Sequence, residues 1–194
     1  MLRTRKHFLI LASSSSNRIK ILEKLNIPFN VFNPNINEKP LLKEKPATTV
    51  KRLSYLKAIK AREKYKENFI LAADTIVYLR KKIINKTFNK NQAIKNLKNL
   101  SGRRHNVFTG LTLITNNNKV HYSTTKTMIK FKSLEEKEIL KYMLTEEWKG
   151  CAGSYAIQGY AEAFIKYIMG SHSNVVGLPM HKVHNLAIKY NLYS

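Results

Sequence analysis

Apolar and polar positions switch between two periods along this chain. Phe8-Leu9-Ile10-Leu11-Ala12 is an unbroken apolar run, the mark of a strand covered on both faces. The serines that follow give way to Ile19, Leu22 and Leu25 at helical spacing. The opening is therefore strand, serine turn, helix; Asn26-Ile27-Pro28 stops the helix, and a second strand is expected over Phe29–Phe32. A loop rich in Asn and Pro and carrying Glu38 leads to an amphipathic helix from residue 48 to about 65. Its inward positions are Val50, Leu53 and Leu56, with many Lys and Arg outward. The clearest strand is Phe69–Leu79, apolar on both faces and so central in its sheet.

Beyond it the pattern predicts a helix over 89–100, a turn at Ser101-Gly102 and a strand around 106–115. A hairpin tip at Asn116-Asn117-Asn118 then leads to a strand near 120–131. Ser133-Leu134-Glu135-Glu136 has the form of a capping box, predicting a helix to about residue 144. A glycine-rich loop over 149–159, a strand near 163–168, a turn over 170–174 and a last helix over 179–190 complete the reading. Helices alternate with strands and the hairpin makes the sheet mixed, so the class is α/β. Without an internal repeat or a composition break to mark a linker, 1–194 reads as a single domain.

Composition adds limits. With 194 residues, 43% of them hydrophobic, the chain can build a real core, which argues against a disordered polymer. The balance of 35 Lys and Arg against 12 Asp and Glu gives +23. That favours polyanionic partners such as nucleotides, nucleic acid or an anionic membrane surface. Lys-Asn-rich tracts such as Lys95-Asn96-Leu97-Lys98-Asn99 fit biased codon usage as well, and the basic residues are scattered rather than clustered. A nucleic-acid-binding regulator is the competing expectation, without a recognisable nucleic-acid motif to support it. The single cysteine, Cys151, excludes an internal disulfide and a cysteine-based zinc cluster and fits a reducing, cytoplasmic setting. Arg3, Arg5 and Lys6 precede an apolar stretch of about five residues, shorter than the roughly 7–15 of a signal core. No apolar run reaches the ~20 residues of a membrane span.

The candidate chemistry starts at Asp74, which shares a strand face with apolar Ile70, Ala72 and Ile76. An ionised carboxylate there needs a partner, as a metal ligand, a general base or an acceptor for backbone N–H groups. The serine turn offers exposed N–H groups and a helix dipole to an anion, with Ser13, Ser15 and Arg18 as side-chain donors; plain helix capping is the alternative. Lys57 lies at the border of its helix's apolar stripe, where it can be solvated or reach inward while its stem packs. Lys86 sits in the turn Ile84-Asn85-Lys86-Thr87. Gln158, before Gly159, carries the donor and acceptor that suit a base edge. His181 and His184 read as exposed helix histidines and Cys151 as an inert thiol.

Together these segments resemble the Maf family of nucleoside triphosphate pyrophosphatases. The matching blocks are LILASSSSNRIKILEKL from Leu9, AADTIV from Ala72, LSGRRHNVFTG from Leu100, AGSYAIQG from Ala152 and NVVGLP from Asn174, in family order over nearly the whole chain. The resemblance implies an elongated mixed sheet flanked by helices, of Maf or inosine-triphosphatase-like type, with two lobes around a central cleft. It also implies a divalent cation, Mg²⁺ or alternatively Mn²⁺, and frequent homodimers. The implied reaction is attack of water at the α-phosphorus, releasing the monophosphate and pyrophosphate. Asp74 matches the proton acceptor, with metal ligation as its other role. Lys57 and Lys86 match catalytic positions, Ser13, Ser15 and Arg18 substrate-binding ones, and Glu38 an acidic position at substrate and metal. Asn17, Thr75 and Gln158 match specificity positions, and the Ile-Gln-Gly form resembles the branch acting on dTTP and UTP. The chain departs from the family at Asn17, where an arginine is usual, at Cys151, where a lysine is usual, and at Thr87, where a proline is usual. The departures at Asn17 and Cys151 leave a nucleotide-binding member with reduced turnover as a further reading.

Overall fold

In the computed structural model, which describes residues 8–39 and 41–193, seven strands form one mixed sheet. The basic residues Arg3, Arg5 and Lys6 lie outside that range. The elements are β1 (Leu9–Ala12), α1 (Ser16–Glu23), β2 (Phe29–Phe32), α2 (Pro46–Lys64), β3 (Phe69–Leu79), β4 (Lys82–Ile84) and α3 (Lys90–Leu100). They continue with β5 (Arg104–Ile114), β6 (Val120–Phe131), α4 (Glu136–Leu144), β7 (Ile165–Met169), α5 (His172–Val176) and α6 (Met180–Lys189). The strand order is β2-β1-β3-β5-β6-β7, with β4 paired to β3. β1 runs parallel to both neighbours, whereas the β3–β4 and β6–β7 pairs are antiparallel. No helix among the described residues is long and apolar enough to cross a membrane.

The described residues divide into two compact units: 8–39 and 41–74 with Gly110–Thr124 and 177–193, and a second comprising Thr75–Thr109 and Thr125–Val176. In the first, Ile10 and Ala12 of β1, Ile70 and Ala72 of β3 and Ile114 of β5 pack against Ala58 and Ala61 of α2. The inward stripe of α2 is Val50, Leu53, Ser54, Lys57, Ala58 and Ala61, while Leu56, expected inward, is exposed. The stripe is led by small and polar side chains because α2 lies directly on β5. A Cβ on Gly110 would stand 2.2 Å from the Val50 carbonyl, and Ser54 Oγ is 2.9 Å from Thr112 Oγ1. This contact carries Lys57 inward, off the border position its spacing suggested.

The second unit is built on Leu97 and Leu100 of α3, Ile139 and Tyr142 of α4, Val107, Phe131 and Phe164. Three features here differ from expectation. β4 follows β3 through Arg80 and Lys81, both at positive φ, and carries none of the Asn or Gly that ordinarily signals such a turn. The capping box uses Glu135 and Glu138, because the Leu134 N–H already donates to Ser101 Oγ (2.8 Å) and the chain stays extended through 135. The strand near 163–168 begins as a 3-10 turn, Tyr160–Phe164, and the turn over 170–174 becomes α5.

Inside this core His105 is buried, its Nε2 2.8 Å from the Tyr155 hydroxyl and its Nδ1 without a partner. Burial lowers its pKa from 6.5 to about 4. The unfolded chain takes up this proton near pH 6.5 and the folded chain only near pH 4, so stability is complete above 6.5 and falls towards 4. A loss of about 2 kcal/mol is expected between pH 7.5 and 5. Urea unfolding should show that His105→Gln, which does not titrate, removes about this much of the fall.

Candidate active site

The first unit gathers most of the polar candidates. β1 passes into α1 through the serines; Ser15 occupies the N-cap position but its side chain makes no capping bond, and its N–H donates to Ser13 Oγ (3.1 Å). Arg18, buried in the first turn of α1, donates Nε to the Gly177 carbonyl (2.8 Å) and Nη1 to Ser13 Oγ (3.3 Å). A fixed guanidinium therefore stands at a helix start, where N–H groups and the dipole already favour an anion. Burial pushes the Arg18 pKa down, and the nearby charges of Asp74 and Glu38 push it up. Asn17, half-buried, precedes it on α1.

Lys57 ties this turn's surroundings together. Asp74 is two positions beyond Ala72 on the β3 face that packs on α2, so it meets the inward stripe of that helix. Lys57 Nζ lies 2.6 Å from Asp74 Oδ1 and 2.7 Å from Glu38 Oε1. Lys57 and Asp74 are buried, and Glu38 reaches in from the loop after β2 with about a third of its side chain exposed (34%). That loop is itself pinned by Arg52, which precedes Lys57 on α2. Arg52 Nε and Nη2 bind Glu44 Oε1 and Oε2, each at 2.8 Å, and Nη2 also donates to the Lys39 carbonyl (3.3 Å). The Arg52 hydrogen bonds hold the Glu44 carboxyl down at about 2.

Glu38 and Asp74 converge on one cation with hard oxygen donors. Mg²⁺ commonly takes one or two carboxylates and completes its shell with water and phosphate oxygens, so the pair fits it. Among the described residues no three or more His, Cys, Asp or Glu side chains gather into a cage. A cation held here would draw its other ligands from water and substrate.

Of the remaining residues, Thr75, Lys86, Cys151 and Gln158 belong to the second unit, and His181 and His184 to the first. Thr75 directly follows Asp74, and its Oγ1 is 2.9 Å from Thr109 Oγ1. Thr109 gives its own proton to the Asn174 carbonyl (2.9 Å), so Thr75 is the donor in their pair. Lys86 is exposed in the loop after β4, and Gln158 is exposed at a turn. His181 and His184 are exposed on α6. The Cys151 thiol donates to the Glu147 carbonyl (3.2 Å), and burial raises its pKa, which disfavours a thiolate. Sequence reasoning assigned no role to Gly177, whose carbonyl anchors Arg18, or to Arg52; the first carried the signal of a glycine block, and the second is hidden among many basic residues.

In one unit of this α/β fold, the serine turn, the arginine and the lysine-bridged carboxylates form an arrangement suited to a phosphorylated ligand. The chain belongs to the Maf family, described as Maf-like protein, which matches residues 8–190. It is 43% identical over 183 residues to a protein of Ehrlichia ruminantium (strain Welgevonden) named nucleoside triphosphate pyrophosphatase, covering 94% of this chain and 95% of the relative. It is also 43% identical over 190 residues to one named dTTP/UTP pyrophosphatase from Wolbachia sp. subsp. Drosophila simulans (strain wRi), covering 95% and 96%. Among solved structures, a nucleoside-triphosphatase or dITP/XTP pyrophosphatase of Mycobacterium abscessus overlaps at TM-score 0.40 and 10% identity, over 65% of this chain and 74% of that one.

Proposed function

We propose that this protein hydrolyses a nucleoside triphosphate between its α- and β-phosphates, releasing the monophosphate and pyrophosphate, and that dTTP and UTP are its preferred substrates. The observation that carries the reading is Lys57 bridging Asp74 and Glu38, in the same unit as the Arg18 and Ser13 anion site. The names of the relatives supply the substrate class. A triphosphate carries about four negative charges, and phosphoryl chemistry depends chiefly on positioning and charge neutralisation. Ser13, Ser15 and Arg18 bind phosphate oxygens at the start of α1. Asp74 takes the proton of the attacking water as its oxygen bonds to the α-phosphorus and the bond to the leaving pyrophosphate breaks. Lys57 orients the Asp74 carboxylate and adds positive charge.

Glu38 and Asp74 would hold a divalent cation, Mg²⁺ or Mn²⁺, which when bound neutralises phosphate charge. Lys86 contributes a further cation, and Asn17, Thr75 and Gln158 act in nucleotide choice, with the Gln158 amide reading the base. A cytoplasmic setting and a homodimer belong to the same reading.

The test is purified protein with Mg²⁺ and a panel of dTTP, UTP and the other common triphosphates, read as pyrophosphate release. Pyrophosphate in equal amount to the monophosphate is expected, fastest from dTTP or UTP. Release of inorganic phosphate would overturn the stated bond cleavage.

A further inference from the structure

An exposed amide at a turn is only as selective as the turn that presents it. Gln158 stands at a turn closed by a single backbone bond, Gly159 N–H to the Ala156 carbonyl (3.1 Å). Two side chains hold its ends. The hydroxyl of fully buried Tyr142, on α4, accepts from the Ala156 N–H (3.1 Å), and the Tyr142 ring stacks on that of Tyr160, with centroids 6.0 Å apart and planes inclined by 30°. Glu147 Oε2 accepts from the Tyr160 N–H (2.8 Å). A Cβ on Gly159 would stand 2.2 Å from that same oxygen, so only glycine lets the carboxylate lie against the turn. Glu147 is fixed in its own backbone, donating its N–H to Thr145 Oγ1 (3.3 Å) and accepting from the Cys151 thiol (3.2 Å). Upstream, Asn96 Nδ2 donates to Ser154 Oγ (2.8 Å) and the Tyr155 hydroxyl meets His105 Nε2 (2.8 Å). Every residue that flanks Gln158 is therefore tied down, and the only exposed side chain in the stretch 153–160 is Gln158 itself.

We propose that Tyr142 and Glu147 form a clamp that sets nucleobase selectivity, with Glu147 a positioning residue for Gln158. The Glu147 bond is charge-assisted and roughly twice as strong as a neutral one, so it is the stiffer end of the clamp. A shift of about 1 Å in a positioned group is enough to lose the alignment on which discrimination depends. The inference rests on Gln158 reading the base.

The experiment compares Gln158→Ala, Glu147→Ala, Glu147→Gln and Tyr142→Phe with the unaltered protein, all as full chains with Mg²⁺. It reads the ratio of kcat/KM for dTTP to that for the best of dCTP, dATP and dGTP. Gln158→Ala and Glu147→Ala are each expected to lower this ratio about tenfold, through KM for dTTP more than kcat. Glu147→Gln, which keeps an acceptor oxygen, restores most of it. Tyr142→Phe, which retains the stacking and loses the hydroxyl, lowers it by a smaller factor, and it carries the test alone if Glu147→Ala does not fold. If Gln158→Ala lowers the ratio and the clamp variants leave it unchanged, or slow all nucleotides alike, the clamp is overturned while the base-reading role stands. If Gln158→Ala itself leaves the ratio unchanged, the base-reading role fails and the clamp's part in selectivity fails with it.

Discussion

Asp74→Asn is expected to lower kcat for pyrophosphate release from dTTP by about three orders of magnitude, within the 10²–10⁴-fold range of a positioned general base. The amide has the shape of the carboxylate and can still accept from Lys57 Nζ, which retains Glu38 as a charged partner at 2.7 Å. Geometry should thus survive while the proton acceptor is removed. Steady-state kinetics at saturating dTTP measure the loss, and a thermal melt close to that of the parent shows that it is chemical. Titrating Mg²⁺ separates the two roles open to Asp74. Recovery of rate as Mg²⁺ is raised identifies a metal ligand, whereas a rate that stays low at saturation identifies the proton acceptor. A variant that retains a tenth of the parent rate would remove Asp74 from the chemistry altogether.

How far the arrangement of the candidate residues is legible in the sequence differs from residue to residue. Asp74 is conspicuous because β3 is otherwise apolar on both faces, and a charge in such a strand has to be explained. The serine turn is legible because a strand ending in serines before a helical period is a local pattern. Lys57 is not legible in the same way. Its depth is decided by how closely α2 approaches β5 at Gly110, a contact 60 residues away in sequence between Val50 and Gly110. β4 was hidden for a related reason, since Arg80 and Lys81 adopt positive φ in a turn that their side chains do not announce. The Arg52–Glu44 pair and the Arg18–Gly177 bond are likewise products of tertiary placement. Element types followed the hydrophobic period closely. Cap positions and the partners of buried charges followed packing.

Lys57→Met is expected to cost about 3–5 kcal/mol of stability, the usual effect of removing one partner from a buried ion pair. Methionine fills much of the same volume, so little of that loss should come from a cavity. The cost arises instead at the carboxylates left behind, and these are not equivalent. The Asp74 side chain is 8% exposed and cannot recover its hydration, whereas Glu38 at 34% can turn towards water. The desolvation penalty therefore falls mainly on Asp74, although the nearby Arg18 charge limits it. Double-mutant cycles in urea unfolding make this quantitative. Lys57→Met with Asp74→Asn should be less destabilised than the sum of the single changes by more than about 1 kcal/mol, because the stranded charge is gone. Lys57→Met with Glu38→Gln should be additive within about 0.5 kcal/mol. Equal coupling to both carboxylates would mean that Glu38 is as firmly desolvated as Asp74. The loop pinned by Arg52 would then belong to the rigid core of the site, and Glu38 could not swing out to admit a cation or a phosphate.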